Sequence, residues 1–377
     1  MGEVASAPLR PRPSFVWALP GAAQLSRGRW ASGAAALTAW VGAIAILVTR
    51  SDRVIAFGRH GPDDWVAVAV LLACLVIPSW WSVRDARRSR DSSDERRGGV
   101  VGAFASDRWA MVGLAAVMAA YAVVLLAPLV TPHDPIAQGD LMTQRLATPS
   151  ASHPLGTDQV GRDVLSRLIY GGRASLLIAT LAVALSISVG TVLGAVSGYV
   201  GGVVDAVTMR FVDVVISFPR LVLLVTLVAF FERTWLLLVL VLGLTQWPPI
   251  ARIVRGEVLS LRERDFVVAA RGLGFSTRRI VLRHLLPNVV APVVVAATLG
   301  VGETIVLEAG LSFLGLGAGV TSWGAMIADG RSAFLGAWWL STFPGLAIVL
   351  TVLAFNLVGD GLRNATSPRA GPAGGRG

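Results

Sequence analysis

The sequence predicts an all-α integral membrane protein, and three observations carry that prediction. The chain of 377 residues is 54% hydrophobic and only 15% charged, where a soluble domain carries about 25% charged residues. Its mean hydropathy is +0.67. Its apolar residues are gathered into runs near or above the roughly 20 residues that cross about 30 Å of hydrocarbon, and its arginines stand mostly between those runs.

Taken in order, the runs are 31–49, 65–83, 109–132, 174–204, 211–231, 234–251, 285–302 and 333–359, eight expected spans. The fifth is the weakest, because Asp213 and Arg220 interrupt its first half. Residues 1–100 read as an N-terminal extension with two spans and a basic linker, polar from Ser89 to Gly99. Residues 101–172 hold the first core span and a long loop. Residues 173–362 hold the remaining core with a basic loop at 252–288, and 363–377 is a Gly-, Pro- and Arg-rich tail expected to be disordered. A cleaved secretory signal is not expected, since the first apolar run starts only after thirty residues and no small-residue cleavage site soon follows it.

Arginine placement sets the expected orientation, because cytoplasmic loops retain positive charge close to span ends. Seven Arg lie between Arg84 and Arg108 and eight between Arg252 and Arg283. Four expected spans separate the two segments, which puts both in the cytoplasm, the loop 131–173 outside, and both termini inside.

Composition also excludes chemistries. All 33 basic residues are Arg, so the chain lacks the lysine of a Walker A phosphate loop and any lysine nucleophile. Energy from ATP would have to come from a partner, and no catalytic residue or cofactor of the chain's own is expected. Cys74, the single cysteine, lies inside an apolar run and leaves no internal disulfide or cysteine metal cluster. A net charge of +10 could suit nucleic acid, but the arginines do not form one soluble face, so no nucleic-acid partner is expected.

The most informative segment runs from Val258 through Gly274 to Asn288, which reads as helix, stop, helix. Phe266, Ala269, Ala270 and Leu273 recur at helical spacing as one small apolar face, with Arg264, Val268 and Arg271 on another. Gly274 is placed to end the first helix in the left-handed conformation and Ser276 to cap the second. A short helix with a narrow apolar stripe suits a groove on another protein.

This segment resembles the cytoplasmic coupling loop of binding-protein-dependent ABC importer permeases, whose signature is Glu-Ala-Ala, three residues, Gly, nine residues, then Ile-x-Leu-Pro. Ala269, Ala270, Gly274, Leu286 and Pro287 fall in register, while Val268 replaces the Glu and His284 the Ile. Longer blocks resemble the dipeptide and oligopeptide branch, specifically the permease with an extended external loop. These are His153-Pro-Leu-Gly-Thr-Asp-Gln-Val-Gly-Arg-Asp163, Gly201-Gly-Val-Val-Asp205, Glu308-Ala-Gly-Leu-Ser-Phe-Leu-Gly-Leu-Gly317 with Ser322-Trp-Gly324, and Phe355-Asn-Leu-Val-Gly-Asp-Gly-Leu-Arg363. The resemblance implies a type I fold of six core helices behind the two extra ones. It implies a second homologous permease, two cytoplasmic ATPases that bind ATP and Mg, an external substrate-binding protein, and a coupling surface at Arg264, Asp265, Ala269, Ala270, Arg271, Gly272, Leu273, Gly274 and Pro287. The setting would be the lipid of a bacterial cytoplasmic membrane.

The remaining polar and small residues divide by expected role. Gly190, Gly194 and Gly198 recur every fourth residue and suit close helix packing. Glu303, Glu308 and Asp329 are ionisable groups near membrane depth and are candidates for the translocation path or its gating. Such groups would equally serve an ion-coupled carrier or channel, the alternative class, but no inverted repeat is evident. His153 lacks a second histidine or acidic cluster at ligand spacing, so no metal site is expected. Asp163 is expected to order the loop with Arg162 and Arg167, and Asp213 to pair with Arg210.

Overall fold

The computed structural model describes residues 100–366. The expected spans 31–49 and 65–83, Cys74, and residues 367–377 lie outside them. Apart from Pro128–Val130, the described helices belong to one compact unit.

The first core crossing is α2 (Arg108–Leu125), preceded by the short α1 (Val100–Ser106). Asp107 stands between them, and its carboxylate accepts the N–H groups of Trp109 and Ala110 at 3.0 and 3.2 Å, which satisfies orphan donors of the helix start. After α3 (Ala127–Val130) a long loop leads to α4 (Val164–Val200), whose first turn is capped by Asp163 accepting Ser166 N–H. At 37 residues, α4 is about 55 Å long, well beyond the hydrocarbon thickness. Gly201, with φ +71, turns the chain from α4 into α5.

The weak fifth run is two helices with a sharp bend between them. Helices α5 (Gly202–Ser217) and α6 (Arg220–Phe230) meet at 84°. The break falls at Phe218-Pro219: Pro219 has no N–H to donate, and its ring pushes Phe218 out of the helical region to ψ 133. Helix α7 (Trp235–Arg262) follows, starting at the Thr234 cap and carrying Pro248 and Pro249 within it. Then come the short α8 (Asp265–Gly272), α9 (Thr277–Ile280), a π-helical turn at Val281–Leu285, and α10 (Leu286–Phe313). The one-turn π segment meets Pro287, which cannot donate to the residue four before it. Helix α11 (Trp323–Gly330) is short, and α12 (Trp339–Thr366) makes the last crossing. Arg363–Thr366, expected to belong to a disordered tail, complete its final turn.

Five described helical segments are long and apolar enough to cross a membrane, and the α5–α6 pair makes a sixth. Successive crossings run antiparallel, which gathers the long loop, α11 and the α6–α7 turn at one end and the Arg-rich segment 252–283 at the other. Helices α4 and α7 pack along much of their length. The reason is the glycine row: a Cβ at Gly190 would lie 2.8 Å from Trp247 O, at Gly194 2.4 Å from Ala251 O, and at Gly198 2.9 Å from Arg255 O. Each glycine thus touches the backbone or Cβ groups of successive turns of α7. Around this pair lie an apolar cluster of Ile178, Leu224, Leu238, Leu242 and Leu311 towards the loop end, and a cluster of Val254, Val258, Leu261, Val267, Ala270, Ile280 and Leu285 at the Arg-rich end.

Candidate coupling surface and membrane cavity

At the Arg-rich end α8 is a short helix held from beneath by buried Val267 and Ala270. Its termination follows from hydrogen bonds: Phe275 N–H donates to Ala270 O and Gly274 N–H to Arg271 O, the paired pattern of a Schellman motif. That motif needs a left-handed residue after the cap, and Gly274 supplies it with φ +76. Ser276 occupies the next N-cap position, but its hydroxyl makes no capping bond. Val267 and Ala270 point inward and are buried, whereas Phe266, Val268, Ala269 and Leu273 are exposed. The apolar face inferred from spacing is therefore split, since Ala270 anchors the helix and cannot meet a partner. The outward stripe is Phe266, Ala269 and Leu273, with Leu273 73% exposed.

Arginines tie this end together. Arg271 lies over the Tyr199 ring at 5.0 Å, and Arg262 Nη1 donates to Gly198 O at 3.2 Å. Arg255 grips the Asp205 carboxylate with both Nε and Nη2, and Ser197 Oγ donates to the same carboxylate at 2.5 Å. Asp213 pairs with Arg252 across helices at 2.5 Å, not with Arg210 on its own helix, because α7 brings a guanidinium to the exposed side of α5 that carries Asp213. Arg279 stacks over Phe275 at 4.1 Å, and Phe275 lies against His284. Arg264 precedes α8 in extended conformation, Asp265 favours its positive N-terminal end, Gly272 faces open space, and Pro287 opens α10 as an exposed residue.

At membrane depth, α5, α6, α7 and α10 line a half-open cavity of about 340 Å³. Phe218, Leu223, Pro249 and Leu299 are among its apolar walls, and its only charges are Arg220 and Glu303. Arg220 is placed there by the proline break, which starts α6 beneath α10. Its Nη1 donates to Glu303 Oε1, while its Nε and Nη2 are buried without a partner. Gln246 Nε2 donates to Gly300 O at 3.4 Å, and Thr304 Oγ1 to Gln246 Oε1 at 2.8 Å, which positions the rear wall. In the sequence Arg220 stood out only as a charge interrupting the fifth run and Gln246 not at all; a proline followed by Arg in an apolar run was the available signal for a site.

The three acidic candidates for the path separate. Glu303 lines the cavity and its side chain is 59% exposed. Glu308 is fully buried and belongs to the packing instead: it accepts Ser175 Oγ at 3.0 Å and Ser312 Oγ at 2.7 Å, while Ser175 Oγ accepts Trp323 N–H. That network joins α4, α10 and α11. Asp329 lies at the loop end, where it accepts Arg167 Nη2 at 2.8 Å.

The long loop is organised by Asp158 rather than by Asp163. Asp158 accepts Arg162 Nε at 2.7 Å, Arg167 Nη1 at 2.5 Å and two backbone N–H groups. Gln159 Nε2 reaches Asp329 O at 2.7 Å, and Trp339 Nε1 reaches Thr157 O at 3.2 Å, so α11 and α12 clasp the loop. Asp163 holds His153 Nδ1 at 3.0 Å, with His133 Nδ1 at 3.8 Å. This second histidine, which spacing did not reveal, brings three donor atoms within 4.8 Å of one another. The other Asp163 oxygen is taken by Ser166 N–H and Oγ at 2.8 and 2.7 Å, and the positive end of α4 disfavours a cation there. Further along the loop, the N–H of Met142 and the hydroxyl of Thr143 hold the Asp140 carboxyl below the usual carboxylate range.

Five apolar crossings with a bent sixth pair, an ion pair in a cavity between them and an Arg-rich end with exposed apolar residues fit a membrane permease subunit. Residues 190–371 match the family described as binding-protein-dependent transport system inner membrane component, and residues 100–149 match the N-terminal transmembrane domain of oligopeptide transport permease C. A Brucella suis protein described as a peptide permease is 44% identical over 271 residues, covering 71% of this chain and 89% of its own. The oligopeptide transport system permease protein OppC of Escherichia coli is 42% identical over 268 residues, covering 71% and 89%. The dipeptide transport system permease protein DppC of Alkalihalophilus pseudofirmus is 38% identical over 265 residues, covering 70% and 86%. Among solved structures, the inward-facing MetNI methionine ABC transporter aligns with TM-score 0.45 at 19% identity, over 53% of this chain and 97% of that one. The chain belongs to the binding-protein-dependent transport family and is a multi-pass inner-membrane permease.

Proposed function

We propose that the chain is one of two membrane-spanning subunits of an ATP-driven importer of dipeptides, oligopeptides or related small solutes. The observation that carries the coupling reading is the outward stripe of Phe266, Ala269 and Leu273 on a helix anchored through Val267 and Ala270. Two cytoplasmic ATPases dock there, binding the ATP and Mg for which this lysine-free chain has no Walker A loop. The Arg-rich end faces the cytoplasm with both termini, and the clasped loop 131–163 faces the external binding protein. A homologous permease completes the path on the side of the Arg220–Glu303 cavity, because charged groups at membrane depth are stabilised by a protein or aqueous neighbour rather than lipid. Closure of the ATPases pushes α8. The packed cluster beneath it passes the push to α7 and α10, since a close-packed interior transmits displacement.

The test is affinity purification of the tagged, detergent-solubilised chain with identification of co-purifying proteins and an ATPase assay. Recovery of a second permease and Walker-containing ATPases, weakened by Leu273→Asp, is the expected result. A stable homo-oligomer without ATPase in several mild detergents overturns the reading in favour of a carrier or channel.

A further inference from the structure

The cavity at the break between α5 and α6 contains a single cation and a single anion, on apolar walls, and this arrangement selects a ligand chemistry. Arg220 spends one nitrogen on Glu303 and keeps two more, Nε and Nη2, without partners. A planar guanidinium with spare donors matches a carboxylate through two parallel hydrogen bonds. Glu303 is the more exposed member, its side chain 59% exposed against 26% for Arg220, and besides Arg220 it meets only a long contact, Gln246 Nε2 to its second oxygen at 3.5 Å. At about 340 Å³ the cavity is at the small end of ligand sites.

Charge balance narrows the ligand further. A simple anion that displaced Glu303 from Arg220 would strand the glutamate beside apolar walls, and a simple cation would strand the arginine. Either leaves an unpaired charge at membrane depth, and for Arg220, with two nitrogens already buried, the cost is the greater. A zwitterion strands neither. We infer that this cavity is a transit site for a small zwitterionic solute: its carboxylate replaces Glu303 on Arg220, and its ammonium is taken by the released Glu303. One intramolecular ion pair is exchanged for two to the ligand, with Phe218, Pro249 and Leu299 receiving the ligand's apolar part. The inference rests on the permease reading and makes the free termini of a short peptide the recognised feature.

The test uses saturation-transfer NMR on the full chain in lipid nanodiscs, together with whatever subunits co-purify. The probes are dialanine, N-acetyl-dialanine and dialanine amide. Dialanine is expected to receive saturation, and blocking either terminus is expected to weaken binding about tenfold, the effect of losing one charge-assisted contact. Arg220→Gln removes the penalty of the amide and Glu303→Gln the penalty of the acetyl group. Equal signals from all three probes on the native chain overturn the inference without recourse to any variant. If the two residues form only a structural latch, the doubly reversed Arg220→Glu, Glu303→Arg chain is as stable as the native one and the native chain shows no terminal preference, which also overturns it. Uptake of labelled dialanine by cells carrying the system reports separately on the permease reading, which stands if uptake occurs while the NMR preference is absent.

Discussion

Replacing Gly194 with alanine tests the packing that organises the whole bundle. The added Cβ would lie 2.4 Å from Ala251 O and 2.9 Å from Val254 Cβ. An ordinary contact is about 3.4 Å or more, so α4 and α7 must part locally by about 1 Å, because the obstacle is a backbone carbonyl rather than a flexible side-chain tip. Parting them there also loosens the contacts at Gly190 and Gly198. Overpacking of this kind costs about 1–3 kcal/mol, partly offset by up to about 1 kcal/mol from the better helix propensity of alanine. The control is Gly256→Ala on α7, where an added Cβ meets nothing within 4 Å and only the propensity gain remains. Thermal unfolding of the two purified variants in one detergent checks the comparison. A net loss of about 1–2 kcal/mol puts Gly194→Ala about 2–8 °C below native, at roughly 2–4 °C per kcal/mol, and Gly256→Ala should match or exceed native. A Gly194→Ala chain as stable as Gly256→Ala refutes the close-contact account.

Three further outcomes are expected. Gly274→Val meets no steric obstacle but must hold a β-branched residue at φ +76, a strain of about 1–2 kcal/mol; uptake should fall sharply with membrane insertion intact, and normal uptake removes α8 from coupling. Asp158→Asn leaves the buried guanidinium of Arg167 with only the half-exposed Asp329, which should cost about 3–5 kcal/mol and make the loop 131–163 protease-sensitive in spheroplasts; a protected loop contradicts the clasp. Glu308→Ala empties a fully buried site and unpairs two serine hydroxyls, with an expected loss of about 2–4 kcal/mol, while Glu308→Gln should lose less; equal melting of both variants and the native chain would show that the network contributes nothing.

The membrane class, the position of the core crossings and the helix–stop–helix at 258–288 were readable in the chain because each depends on local composition. Lipid demands a long apolar run whatever surrounds it, and the arginines marking the ends of the runs are local too. Even the bend in the fifth run left a trace in Asp213, Arg220 and the Phe218-Pro219 pair. The family blocks were legible because they lie in unbroken stretches of sequence.

Partner choice was a different matter. Whether Asp213 meets Arg210 or Arg252, whether Asp158 or Asp163 gathers the arginines of the loop, and whether His133 stands beside His153 depend on which helices become neighbours. The same holds for the glycine row, whose four-residue spacing marks a packing face without naming α7 as the helix that fills it. Glu303 and Glu308 sit one helical turn and a residue apart on α10, yet one lines a cavity and the other is sealed among serines. A helix turns about 100° per residue, so five residues carry a side chain well around the axis. Which side is cavity and which is core is decided only by the helices packed against each.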